Sequence, residues 1–159
     1  MSLINDLIQT LNQFISADRR NDQEKQWVQA QVTDSKLRQL LTRLSTRDIK
    51  IISQIGQEAI CYIKTLPTAV NASQATISRT ISRLEKDGLV AKYRNINNDK
   101  ELLVRLTEIG QTIAELHTQL DQQLATDLES IAADYSPEEL QRFTELMQRI
   151  NQHQLPAIK

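Results

Sequence analysis

Apolar residues recur near the start of the chain at Leu3, Ile4, Leu7, Ile8, Leu11, Phe14 and Ile15. Those three- and four-residue steps draw one face of a helix that Ser2 can cap. The polar run 16–22 predicts a break, and Trp27 and Val28 anchor a weaker helical stretch over about 23–31. Ser35 opens a short helix with Leu37, Leu40, Leu41 and Leu44 apolar. Ser45-Thr46-Arg47-Asp48 has the form of a capping box, with Asp standing for Glu. It predicts a helix through Ile49, Ile51, Ile52 and Ile55 that Gly56 closes.

Residues 60–63 are β-branched and aromatic and predict a minor strand. Pro67 suits only the first turn of a helix, which places one at about 65–70, capped by Lys64 or Thr65. Asn71-Ala72 is then a turn, and Ser73 caps a helix over 74–87 with Ile77, Ile81 and Leu84 as its inward seam. A hairpin follows at 89–94 and 102–106, around a polar tip at 95–100. Thr107 caps a long helix with the stripe Ile109, Ile113, Leu116, Leu120, Leu124, Leu128 and Ile131. Ser136-Pro137-Glu138-Glu139 opens a last helix bearing Leu140, Phe143, Leu146, Met147 and Ile150.

The first, long and last helices are one-sided, and each needs a partner surface. A long helix projecting past a small module cannot bury its whole stripe in one chain, so a homodimer is the economical solution. A monomeric bundle is the alternative.

Composition agrees with a mostly α protein: three Gly and three Pro in 159 residues leave little room for loops. The length suits one domain. The net charge of −1 hides a segregation. Residues 62–105 carry eight basic side chains against four acids, leaving eleven against sixteen elsewhere. Such a local basic patch is an electrostatic footprint for phosphate. Cys61 is the single cysteine, which excludes an intramolecular disulfide and fits a reducing compartment. With no leader-like start and no apolar run near the ~20 residues of a membrane span, a cytoplasmic protein is expected.

The helix at 74–87 carries Ala75, Arg79, Ser82 and Lys86 opposite its seam, flanked by Thr76, Ser78 and Arg83. Small residues let a backbone approach a groove wall. Arg79 can fork onto guanine, Gln74 suits adenine, and the helix N-terminus offers free N–H groups to phosphate. The hairpin adds Lys92, Arg94, Asn98 and Lys100, long enough to follow a backbone or reach a minor groove. The candidate DNA contacts are therefore Ser73, Gln74, Ala75, Thr76, Ser78, Arg79, Ser82, Arg83, Lys92, Arg94, Asn98 and Lys100. The plain alternative is a solvated amphipathic face.

Three blocks together resemble the MarR family of bacterial transcriptional regulators. Ser73-Gln-Ala-Thr-Ile-Ser-Arg79 looks like that family's recognition-helix opening. Ile81-Ser-Arg-Leu-Glu-Lys-Asp-Gly-Leu-Val90 resembles its passage into the wing. Leu103-Val-Arg-Leu-Thr-Glu-Ile-Gly110 resembles its strand-to-helix segment, with Leu106, Thr107 and Gly110 matching. The likeness spans about 44–110 and implies a winged helix-turn-helix, mostly α with a small β wing, flanked by dimerisation helices. The chain is then one MarR-like domain over 1–159, with its DNA-binding region at 36–107 and dimerisation helices at 1–31 and 108–152.

The resemblance further implies a homodimer that binds double-stranded DNA at a pseudo-palindromic operator, usually as a repressor, and that a small-molecule effector or oxidation can release. The chain departs from the pattern in two places. Asn98-Asp99-Lys100 stands where the family has Asp-x-Arg, so charge is kept but the planar fork is lost. Pro67 replaces a small helical residue and predicts a shortened first helix of the motif.

Other chemistry is thin. Relatives that sense peroxide carry their cysteine in the first helix, where this chain has none, so Cys61 reads as a small buried hydrophobe. His117 and His153 lie far apart without a third ligand, and no metal or cofactor is expected. Trp27, Tyr62 and Tyr93 are aromatic candidates for an effector pocket. No catalytic constellation or phosphate-cradling glycine loop is present, so an enzyme is not expected. A protein-interaction module whose winged helix no longer reads DNA is the competing function.

Overall fold

A computed structural model describes residues 2–15, 18–154 and 156. Among the described residues eight α-helices and three strands follow in the order α1 (Leu3–Ile15), α2 (Asp18–Ala30), α3 (Ser35–Arg43), α4 (Thr46–Gln57), β1 (Cys61–Tyr62), α5 (Leu66–Val70), α6 (Gln74–Lys86), β2 (Val90–Asn95), β3 (Asn98–Leu106), α7 (Glu108–Ala132) and α8 (Pro137–Gln152). A single 3-10 turn, Ile63–Thr65, leads into α5. The strands form one antiparallel sheet in the order β1-β3-β2. Two compact units result, Met1–Leu120 and Asp121–Lys159, and α7 begins in the first and ends in the second.

Side-chain caps set most helix starts. Ser2 Oγ accepts from the Asn5 N–H at 3.3 Å. Ser45 and Asp48 form the reciprocal capping box of α4, and Ser136 and Glu139 form that of α8. Ser73 Oγ accepts from the Thr76 N–H at 3.1 Å, satisfying one of the free donors at the head of α6. Pro67 sits in the first turn of α5, which runs only five residues. Asn71, in the left-handed region at φ 54°, then turns the chain from α5 toward α6.

Gly88 ends α6. At φ +79° it carries a conformation that other residues resist. Its N–H bonds to Glu85 O while the Leu89 N–H bonds to Leu84 O, the paired closure of a Schellman motif. Thr107 then locks the far end of the hairpin against this corner. Its Oγ1 donates to Gly88 O at 2.6 Å and accepts from the Gly110 N–H at 3.2 Å. A Cβ on Gly110 would lie 2.0 Å from Leu89 O, so the close approach requires glycine.

The core of the first unit gathers Ile51 and Ile52 of α4, Leu66 of α5, and Ile77, Ile81 and Leu84 of α6. Val90 and Val104 of the sheet and Ile113 of α7 complete it. The predicted seam of α6 is thus buried as expected. In the second unit Leu128, Ile131, Tyr135, Leu140 and Phe143 remain exposed and line an apolar hollow of about 530 Å³. No residue of α8 is buried.

Three sequence expectations shift. The polar stretch 16–22 was to be a break; residues 16–17 lie outside the described residues, but α2 already begins at Asp18. Residues 18–22 are Asp-Arg-Arg-Asn-Asp, a composition that carries no apolar signal to read. Gly56 does not close α4, which continues to Gln57; a Cβ there would meet Leu106 Cδ1 at 3.1 Å. The hairpin tip is also shorter than 95–100, because β2 and β3 extend to enclose a turn at Ile96-Asn97. Neither turn residue has positive φ, so the turn lacks the twist that matches paired strands. The register slips accordingly: Arg94 pairs with Leu102 but Asn95 with Asn98. Asparagine side chains hold the irregularity, Asn95 Oδ1 accepting from the Asn97 N–H and Asn98 Oδ1 from the Lys100 N–H, both at 3.1 Å.

Candidate nucleic-acid interface

The seam of α6 faces inward, so its opposite side is left to solvent by helical geometry alone. Ser73, Gln74, Ala75, Ser78, Arg79, Ser82 and Arg83 are exposed there, and Thr76 is half-buried. Lys92 and Arg94 on β2, and Asn98 and Lys100 on β3, are exposed as well. All twelve candidates therefore lie on two adjoining elements, the helix with its cap and the hairpin.

Within that set the structure separates free groups from engaged ones. Ser73 Oγ is committed to the cap, donating to Thr76 Oγ1 at 2.8 Å while accepting the Thr76 N–H. Arg83 Nη2 bonds Asp48 Oδ1 at 2.5 Å, while Asp48 Oδ2 accepts the Ser45 N–H at 2.9 Å. One carboxylate thus caps α4 and holds α6 against it. Arg83 is consequently a tie between helices before it is a reader, although a guanidinium keeps further N–H donors.

Lys92 and Ser82 are brought together across the helix–wing junction, Nζ to Oγ at 3.4 Å. Glu85 fixes the same junction: its Oε2 accepts the Lys92 N–H at 2.7 Å, and its Oε1 lies 3.6 Å from Lys92 Nζ. Arg94, Asn98 and Lys100 bond within the wing instead. Arg94 Nη1 donates to Asp99 O at 2.7 Å, crossing the bulged residues.

A second carboxylate braces the wing. Glu101 Oε1 accepts from Lys64 Nζ at 2.9 Å and its Oε2 from Asn95 Nδ2 at 3.0 Å. These bonds, Lys64 first, hold the Glu101 carboxyl below its ordinary pKa, and the same bond to Glu101 raises the Lys64 ammonium above its own. The wing is therefore tied at both ends, to α6 through Glu85 and to the turn before α5 through Lys64.

Asp48, Glu85, Lys64 and Glu101 were not singled out from sequence as interface residues. Asp48 was legible as a cap. Its bond to Arg83 spans 35 positions and depends on how α4 meets α6.

Tyr62 and Tyr93 both pair with Leu103, so they flank it on one face of the sheet. Each ring lies under a cation, Lys64 at 5.5 Å and Arg105 at 5.8 Å. Trp27 is half-buried on α2. Cys61 is buried beside Val104, and burial, reinforced by Glu58, pushes its thiol pKa up. Among the described residues no group of three or more His, Cys, Asp or Glu could hold a metal ion. No helix among them is long and apolar enough to cross a membrane.

Residues 44–102, from the end of α3 to the wing, match the sequence pattern of the MarR family. Over that stretch the chain is similar to the MarR family. It is 23% identical over 144 residues to the uncharacterised HTH-type transcriptional regulator YvnA of Bacillus subtilis, covering 90% of this chain and 92% of that one. Across its sequence relatives the chain spans from 40% to 92% of their length. Among solved structures it resembles the adhesin competence repressor AdcR of Streptococcus pyogenes. That match has a TM-score of 0.68 at 17% identity and covers 96% of this chain and 97% of AdcR. It also resembles FabT of Streptococcus pneumoniae, solved in complex with DNA, with a TM-score of 0.65 at 17% identity over 91% and 95%. These two likenesses are of fold. The winged helix comprises α5, the turn at Asn71, α6 and the β2–β3 wing.

Proposed function

We infer that this chain is a cytoplasmic transcriptional repressor that binds a pseudo-palindromic operator as a homodimer and leaves it when a small-molecule effector binds. The observation that carries the reading is the solvent-facing side of α6. Gln74, Ala75, Ser78 and Arg79 stand exposed at the head of a capped helix whose inner seam is fully buried. Small residues next to a forked cation suit the floor of a major groove, and the cap leaves other N–H groups of the first turn to phosphate. A face meant for a protein partner is richer in aromatic and apolar side chains. FabT, a structural neighbour, was solved with DNA, which supports the same use of this fold.

The contact set is the twelve residues named above, within a reading region at 36–107. Helices in 1–31 and 108–152 pair two copies, and exposed apolar residues on both stretches support this. Leu3, Ile4, Ile8 and Phe14 lie open on α1, as do Leu128 and Ile131 on α7 and Phe143 on α8. Two-fold pairing sets the two α6 helices at half-sites about one helical turn apart. Repression and effector release follow the usual mode of the family.

Fluorescence anisotropy with duplexes tiling the promoter of the chain's own gene tests the reading. Binding to a discrete duplex, weakening steeply as salt rises, is the expected result. Absence of binding to every duplex, or binding indifferent to salt, overturns it.

A further inference from the structure

The most exposed hydrophobic side chain described is not on a terminal helix. It is Ile96, at the end of the wing, with 97% of its surface open. Sequence alone marks this tip as polar, since Asn95, Asn97, Asn98, Asp99 and Lys100 surround it. Local folding gives no reason for the isoleucine. Turn positions favour Gly, Asn, Asp and Pro, and a β-branched residue adds nothing to a two-residue turn. Nor does it add to the core, which it does not touch.

What surrounds Ile96 is arranged to hold it still and to bring a polyanion to it. The wing is braced by Lys64 and Asn95 on Glu101 and by Glu85 on the Lys92 amide. The tip therefore keeps a set position relative to α6. Arg94 and Lys100 stand exposed on the strands either side of the turn. A lone apolar tip between cations is the arrangement that minor-groove proteins use, with cations on the phosphates and an aliphatic side chain against the groove.

We propose that Ile96 is a DNA-contacting residue, an aliphatic wedge that packs against deoxyribose walls in the minor groove flanking each half-site. The inference rests on the DNA-binding reading above. It assigns the wing a contact that is apolar at its point and ionic at its sides. Such a contact releases no counterion, so its contribution is independent of salt, whereas those of Arg94 and Lys100 are not. The groove presents similar sugar walls for every sequence, and selectivity arises from groove width and deformability.

The test uses the full chain and the tightest-bound duplex from its own promoter. Ile96→Ser is expected to lower affinity about tenfold, the scale of losing a few buried methyl and methylene groups. The slope of log affinity against log salt stays that of the parent. Ile96→Leu retains most of the binding, and both variants melt with the parent because the side chain is open to solvent. Hydroxyl-radical cleavage shows sugars protected beside each half-site by the parent and exposed with Ile96→Ser. Parent-like affinity and an unchanged footprint for Ile96→Ser overturn the proposal, as does a loss that comes with a changed salt slope. A parent chain that binds no duplex overturns the DNA-binding reading itself.

Discussion

The Arg83 guanidinium closes on the Asp48 carboxylate at 2.5 Å, joining α6 to the capping box of α4. Asp48 is buried, while Arg83 is 46% exposed. The pair is thus asymmetric: the carboxylate depends on its partner, and the guanidinium can fall back on water. Arg83→Ala leaves Asp48 with the Ser45 N–H alone and is expected to cost about 1–3 kcal/mol of stability. Asp48→Ala removes the carboxylate half of the capping box as well, at a similar cost of about 1–2 kcal/mol. In urea melts the double variant should cost less than the sum of the two. Additive losses show that the bond carries no coupling.

Arg79 and Lys100 should differ in kind. Arg79 stands free on the outward face of α6, where a fork can read a base edge; Arg79→Ala should cost about 1–3 kcal/mol of binding and relax preference at one position. Lys100→Ala should weaken all duplexes alike and flatten the salt slope by about 1. Anisotropy titrations across single-base variants and salt concentrations separate the two. A uniform loss for Arg79→Ala would make it a phosphate contact instead.

The corner from α6 into the wing and on to α7 was legible in sequence because its devices are local. Ser73 as a cap, Pro67 in a first turn and Asn71 as a turn each act through the backbone within a few residues. The seam Ile77, Ile81 and Leu84 was equally legible, since periodicity is a property of one helix. The ties that position this surface were not. Asp48–Arg83 and Lys64–Glu101 join residues 35 and 37 positions apart and exist only after the helices and sheet have packed. The wing tip misled for another reason: its composition is polar, yet a register slip leaves its one isoleucine at the point.

Gly110 and Gly88 should fail for different reasons. A Cβ at Gly110 would press on Leu89 O, which is backbone and cannot rotate away. Gly110→Ala should therefore destabilise by about 1–3 kcal/mol. Gly88→Ala meets nothing within 4 Å and suffers only from its φ of +79°, a strain of about 1–2 kcal/mol. Gly56→Ala, which meets the end of the Leu106 side chain, should be the mildest. Thermal melts rank the three, and a Gly56→Ala loss equal to that of Gly110→Ala contradicts the packing argument.

The brace on the wing carries a pH dependence of defined sign. Glu101 is held below its ordinary pKa, by Lys64 first and Asn95 second. The stabilisation it gives the wing is complete above the unfolded carboxyl pKa and is lost as pH falls through the folded one. An NMR titration should show Glu101 with a midpoint below that of an unconstrained glutamate. Lys64→Ala should move it upward, and Lys64→Arg should largely restore it. A midpoint indifferent to Lys64 would mean that the bond does not persist in solution.

Pairing of two copies makes the sharpest demand on the rest of the chain. On α7 the stripe passes from buried Ile113, Leu116 and Leu120 to exposed Leu128 and Ile131, so one chain covers only half of it. On α8 nothing is buried, and Phe143 stands open beside Tyr135 and Leu140. Open apolar surface of this kind is costly in water and is relieved when a second copy covers it. Sedimentation equilibrium at micromolar concentration should therefore give twice the chain mass of 18.2 kDa. Phe143→Asp, which places a charge in the apolar hollow of the second unit, should shift the equilibrium toward single chains and weaken operator binding in parallel. The first unit should keep its fold, because its core contains no residue of α8. A single-chain mass for the parent protein would remove the terminal helices from their pairing role. It would leave α6 to read one half-site alone.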